Sequence, residues 1–154
     1  MKTRILVILL AATALLAQER SRYPWTGTDG NEGDTIRGIP TPAGFERIGQ
    51  PDGAFAAWLR GLPLEPEGSS VHLYNGTLKA DQSVHYRVVD IDIGNRNLQQ
   101  CADAVMRLRA EYLYQKGWKD SIAFNFSNGD RLEYSEWRRG IRPKVDGNEV
   151  TWSR

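Results

Sequence analysis

NRNLQQCADAVMRLRAEYLYQKG, residues Asn95 to Gly117, is the stretch whose reading decides the fold. Asn97 is a favoured helix N-cap, the run Leu98 to Lys116 is rich in helix formers, and Gly117 suits the left-handed residue that closes a helix. The pattern predicts a helix over 98–116. Leu98, Cys101, Val105, Leu108 and Tyr112 follow one another at spacings of three and four, which places them on one stripe of a 3.6-residue helix. Cys101, the only cysteine, therefore opens the helix on the face expected to be buried. A thiol in that position is either a small hydrophobe filling the core or a nucleophile at the positive end of the helix dipole.

On either side of this helix the chain reads as β-structure. Val71 to Tyr74 and Thr77 to Lys79 flank Asn75-Gly76, a dipeptide suited to a two-residue type I′ hairpin. Val84 to Ile93 is the longest strand-like run, with Val89, Ile91 and Ile93 alternating against Val88, Asp90 and Asp92. Downstream, Ser121 to Phe126 meets Arg131 to Tyr134 across Asn128-Gly129. A last pair, Ile141 to Val145 and Glu149 to Trp152, surrounds Asp146-Gly147. Ala54 to Leu59 forms a short helix that Gly61 and Pro63 end, and Leu64 to Ser70 reads as a loop. The fold class expected is α+β, a central helix packed on an antiparallel sheet of hairpins.

The chain has 154 residues, 40% hydrophobic and 25% charged, enough for one domain with a core. Lys2 and Arg4, an apolar run from Ile5 to Leu16, and small residues up to Ala17 have the form of a signal peptide, residues 1–17. The run is short for a bilayer span, so no membrane span is expected after cleavage, and the protein is expected in the periplasm or outside the cell. Residues 18–38 read as a flexible N-terminal arm and 39–154 as a single domain. A lone cysteine provides no intramolecular disulfide for an exported domain, whose stability must come from packing and its aromatic residues. With 20 basic against 19 acidic side chains, net charge +1, nothing in the overall charge points to a nucleic acid.

Candidate chemistry is sparse. Histidines at 72 and 85 both precede Cys101; His85 is the weaker catalytic candidate beside Cys101, and the bland reading of both is a half-exposed strand residue. One cysteine and two histidines do not reproduce a zinc spacing, and Asp90 with Asp92 suits amide capping better than a cation; no metal or other cofactor is expected. Trp137 with Arg138 and Arg139, near Arg142 and Lys144, can contact a glycan, a phosphate or an anionic polymer, although such clusters are usually solvated faces. Asn75-Gly76-Thr77 and Asn125-Phe126-Ser127 satisfy a glycosylation pattern, yet both lie in or beside the expected tight hairpins.

VHLYNGTLK, VVDIDIGNRNLQQCADAVMRLRAEYLY, IAFNFSNG and EYSEWRRGIRP resemble the exported bacterial family known as domain of unknown function 4846, over roughly Ile39 to Trp152. The resemblance implies that members continue beyond this chain, through a Gly-Asp segment and a Gly-His-Ala strand, so that the chain is a truncated member. That arrangement is similar to NlpC-type papain-like cysteine peptidases, where a cysteine opens a helix and a histidine arrives from a later strand. It implies a papain-like fold at its furthest reach, with Cys101 as nucleophile and the general base in a missing C-terminal portion. Two functions follow as expectations. One is a non-catalytic envelope module that contacts a peptide or cell-wall ligand through Trp137, Arg138 and Arg139, with Cys101 in the core. The other is a cysteine amidase or peptidase acting on peptide or peptidoglycan.

Overall fold

A computed structural model of the protein describes residues 34–154, so the expected signal peptide and most of the expected N-terminal arm lie outside the described residues. The chain divides into two compact units, one of residues 34–71 and 78–91, the other of residues 72–77 and 92–154. Helices and small antiparallel sheets give a mixed α+β content. No helix among the described residues is long and apolar enough to cross a membrane.

The first unit is organised around Leu62-Pro63-Leu64-Glu65. An α-helix, α1 (Phe55–Arg60), is stopped by Gly61 and Pro63, as the sequence predicts. Leu62 and Leu64 are then buried, and their backbones bond outward on one side: Ile36 N–H to the Leu62 carbonyl at 3.0 Å and Leu64 N–H to the Asp34 carbonyl at 2.8 Å. Residues 34–38, the end of the stretch read as an arm, are held by these bonds. On the other side Glu65 N–H reaches Val88 and Asp90 N–H reaches the Pro63 carbonyl, both at 2.9 Å. The segment read as a loop from Leu64 thus begins in the core.

The strand expected over Val84 to Ile93 is reduced to a single bridge, Leu64 with Val89. Proline accounts for this. In an antiparallel ladder, Pro63 and Asp90 would exchange two bonds, but Pro63 has no N–H to return, so the ladder stops there. At the other end the Glu65 carbonyl accepts the Arg87 guanidinium at 2.9 Å.

In the second unit the long helix, α2 (Cys101–Gln115), begins three residues later than its sequence suggests. Asn97 is not the cap. Gln100 is, in a reciprocal capping box with Asp103: the Gln100 side chain accepts the Asp103 N–H, and Asp103 Oδ2 accepts the Gln100 N–H at 3.1 Å. The C-terminal end follows the sequence closely. Gly117 has φ +77°, its N–H bonds the Tyr114 carbonyl at 3.0 Å, and Trp118 N–H bonds that of Leu113 at 2.9 Å, the paired bonds of a Schellman motif.

Strands β1 (Ala123–Asn125) and β2 (Arg131–Glu133) pair antiparallel with Phe124 opposite Leu132, and helix α3 (Tyr134–Arg138) follows directly. Strands β3 (Arg142–Asp146) and β4 (Glu149–Ser153) pair with Val145 opposite Val150. The two hairpins meet where Asn128 Nδ2 donates to the Asn148 carbonyl at 2.8 Å and Phe126 stands edge-on to Trp152, ring centroids 6.2 Å apart. Tyr112, Leu113 and Ile122 form the buried core, and Tyr114 packs edge-on against Tyr134 at 6.1 Å.

The turns sit where the sequence places them, but their geometry differs. Asn75-Gly76 closes a three-residue loop: Leu73 N–H bonds the Thr77 carbonyl at 2.7 Å, Gly76 N–H bonds the Leu73 carbonyl at 2.9 Å, and only Gly76 has positive φ. That is a type I turn followed by a left-handed glycine, in place of type I′. Phe126 to Asp130 repeats the pattern. Between β3 and β4 the two turn residues are Gly147 and Asn148, not Asp146 and Gly147, and positive φ at Gly147 alone fits type II′.

Candidate functional site

Cys101 is the first residue of α2, and its side chain is exposed. The expectation that it fills the core is corrected by the way the apolar stripe divides. At the C-terminal half Tyr112 and Leu113 are each only 5% exposed, whereas Leu98 and Val105, along the same stripe, are 63% and 64% exposed. The helix is anchored by its second half and projects its first.

The approach to Cys101 is fixed by Arg107. Its guanidinium bonds Glu111 Oε1 at 2.7 Å, one turn along the helix, the Gln99 side chain at 2.5 Å, and the Asp92 carbonyl. One cation thus ties the incoming loop to the middle of α2. The helix start already has an anion beside it, because the Asp103 carboxylate occupies the capping box two residues from Cys101. That carboxylate accepts the Gln100 N–H, one of the amides left open at the helix start.

His85 belongs to the first unit and Cys101 to the second. His85 is half-buried, with Nε2 3.1 Å from the Ser69 carbonyl, so Nε2 is the donor of that bond. Nδ1 is buried and has no hydrogen-bond partner among the described residues. His72 belongs to the second unit, exposed on the Asn75-Gly76 hairpin. Among the described residues no group of three His, Cys, Asp or Glu side chains could hold a metal ion. Asp92 Oδ1 instead accepts the Gly94 N–H at 2.7 Å, and the exposed Asp81 is held below the usual carboxylate range by the Ser83 hydroxyl and amide.

The basic and aromatic residues around α3 form the most organised exposed cluster of the second unit. Gly140, at φ +89°, turns the chain out of α3 so that β3 begins beneath Trp137. The Arg142 guanidinium carbon lies over the Trp137 ring, 3.7 Å from its centroid, and Nη1 donates to the carbonyls of Trp137 and Ile141 at 2.7 and 2.9 Å. Arg138 lies 5.9 Å from the centre of the Tyr134 ring, and Lys119 4.5 Å from that of Tyr114. Arg139 pairs with Glu136 at 3.1 Å. The sequence groups Arg138, Arg139, Arg142 and Lys144 beside Trp137; the geometry shows that Arg142 is the cation of this group that sits on the indole, a distinction that spacing along the chain does not reveal.

Residues 36–154 match the model of the family described as Domain of unknown function (4846), and the chain belongs to that family. No curated protein and no solved structure matches the chain.

Proposed function

We propose that this member of the domain of unknown function 4846 family is an exported envelope protein, non-catalytic in this form, whose second unit binds an anionic peptide or cell-wall ligand. The observation that carries the reading is the stacked Trp137–Arg142 pair. Arg142 spends one nitrogen on two carbonyls, which fixes its plane while the rest of the fork is left for a carboxylate or phosphate. Arg138 and Arg139 extend the positive surface along α3. Preorganisation of this kind lowers the entropy lost when a ligand is held. Export, the signal peptide and a single domain over 39–154 belong to the same proposal, as does packing of α2 on a sheet.

Titration with poly-glutamate and with a soluble muropeptide, followed by tryptophan fluorescence, tests the reading. Binding is expected to weaken with added salt and to fall about tenfold in affinity in the Trp137→Ala and Arg142→Ala variants, the loss of roughly 1.4 kcal/mol of desolvated cation and ring contact. Absence of binding to both probes, or affinity unchanged by both substitutions, would contradict it.

A second reading is supported by one specific observation, the exposure of Cys101 at the start of α2. In it the protein is a papain-like cysteine amidase or peptidase with Cys101 as nucleophile.

A further inference from the structure

We propose that β4 is the edge through which two copies of this chain pair, strand to strand and antiparallel about Thr151. In a two-residue hairpin the pair closing the turn exchanges both backbone bonds, and bonded pairs then alternate along the ladder. With Asp146 opposite Glu149, the bonded pairs are Asp146–Glu149, Lys144–Thr151 and Arg142–Ser153. The N–H and carbonyl groups of Val150 and Trp152 therefore point away from β3, and no hydrogen bond among the described residues uses them. The outer edge of β3 is different. There Pro143 has no N–H to offer, and a proline on an edge strand blocks a newcomer. Among the described residues the hairpin has one edge blocked by Pro143 and one edge left open.

What fits the open edge is a second β4. With the dyad at Thr151, Val150 of each copy takes Trp152 of the other as its bonded partner, which uses all four outward groups of each strand. Side chains alternate between faces, so Pro143, Val145, Val150 and Trp152 share one face of the hairpin. Pairing continues that apolar strip, in which Val145 and Trp152 are exposed, into its copy. On the opposite face Asp146 and Glu149 lie at the turn end and Arg142 at the other. Antiparallel pairing brings the acidic end of each copy alongside the basic end of its partner, whereas parallel pairing would set like charges together.

Sedimentation velocity of the full chain over a concentration series, with two matched variants, tests the proposal. Val150→Pro removes an N–H that points outward from β4, and Val145→Pro removes its counterpart on β3; neither breaks a bond between β3 and β4. The expected result is a reversible dimer whose dissociation constant rises at least about tenfold in V150P and is unchanged in V145P. In a Cys101→Ser background, Thr151→Cys is expected to form an interchain disulfide on mild oxidation, since residues facing across the dyad have Cα atoms about 4.5 Å apart, within disulfide reach. This second variant decides the matter if V150P does not fold. A monomer at every concentration, a dimer indifferent to V150P, or a dimer that T151C does not cross-link would overturn the proposal.

Discussion

Tyr112→Ala is expected to remove the cooperative unfolding of the second unit. Tyr112 is buried, stands edge-on to Trp118 at 6.3 Å between centroids, and has the Arg109 guanidinium 5.4 Å from its ring centre. It lies in the half of α2 that is packed, next to Leu113, so the ring holds the helix to the residues that follow it. Truncating a buried aromatic side chain costs roughly 3–5 kcal/mol. Whole domains are stable by only about 5–15 kcal/mol, so the loss takes a large share of what is available. Urea unfolding followed by near-ultraviolet circular dichroism checks this. Tyr112→Phe, which keeps the ring, should retain most of the midpoint, while the alanine variant should have a far lower midpoint or no transition. Equal midpoints in the two variants would show that the ring is not where α2 is held.

The second large effect falls on the first unit. Leu62 is 2% exposed, and its carbonyl accepts the Ile36 N–H in the short segment that carries the bonds to 34–36 on one side and 88–90 on the other. With so little regular ladder, this unit depends on side-chain burial, and Leu62→Ala should cost about 2–5 kcal/mol. Limited proteolysis reads the result, because a destabilised unit opens locally and exposes its backbone. Rapid cleavage within residues 34–71 is expected in the variant. A cleavage rate equal to that of the unaltered protein would contradict the central place given to Leu62.

Local backbone chemistry was legible in the sequence, and tertiary burial was not. Gly117 marks the end of α2 because a left-handed residue there is a local requirement, and the same holds for the glycines of the Asn75-Gly76 and Asn128-Gly129 turns. The helix start was misplaced because Asn97 is a good cap in isolation, while the reciprocal fit of Gln100 with Asp103 wins in the folded chain. Turn type escaped because a type I turn with one left-handed glycine and a type I′ turn both accept Asn-Gly; the difference lies in which residues close the loop. The Leu98, Cys101, Val105, Tyr112 stripe is a correct periodicity, but a period does not say which half of a face finds a partner. Likewise, Val84 to Ile93 alternates as a strand should, yet pairing stops where Pro63 offers no donor.

The candidate residues divide along the same line. Trp137, Arg138 and Arg139 were visible as neighbours in sequence. Arg142 was legible as part of the same basic cluster but its stack on the Trp137 ring was not, and that His85 and Cys101 fall in different units has no signature in spacing.

The most direct test of the account is the reactivity of Cys101, compared between folded and denatured protein with one small alkylating reagent at one pH. On the non-catalytic reading, a thiol exposed at the start of α2 is expected to react at similar rates in both states. A folded-state rate many times the denatured one would reveal an activated nucleophile and contradict the non-catalytic reading. A folded-state rate far below it would return Cys101 to the core and contradict the placement of the helix start.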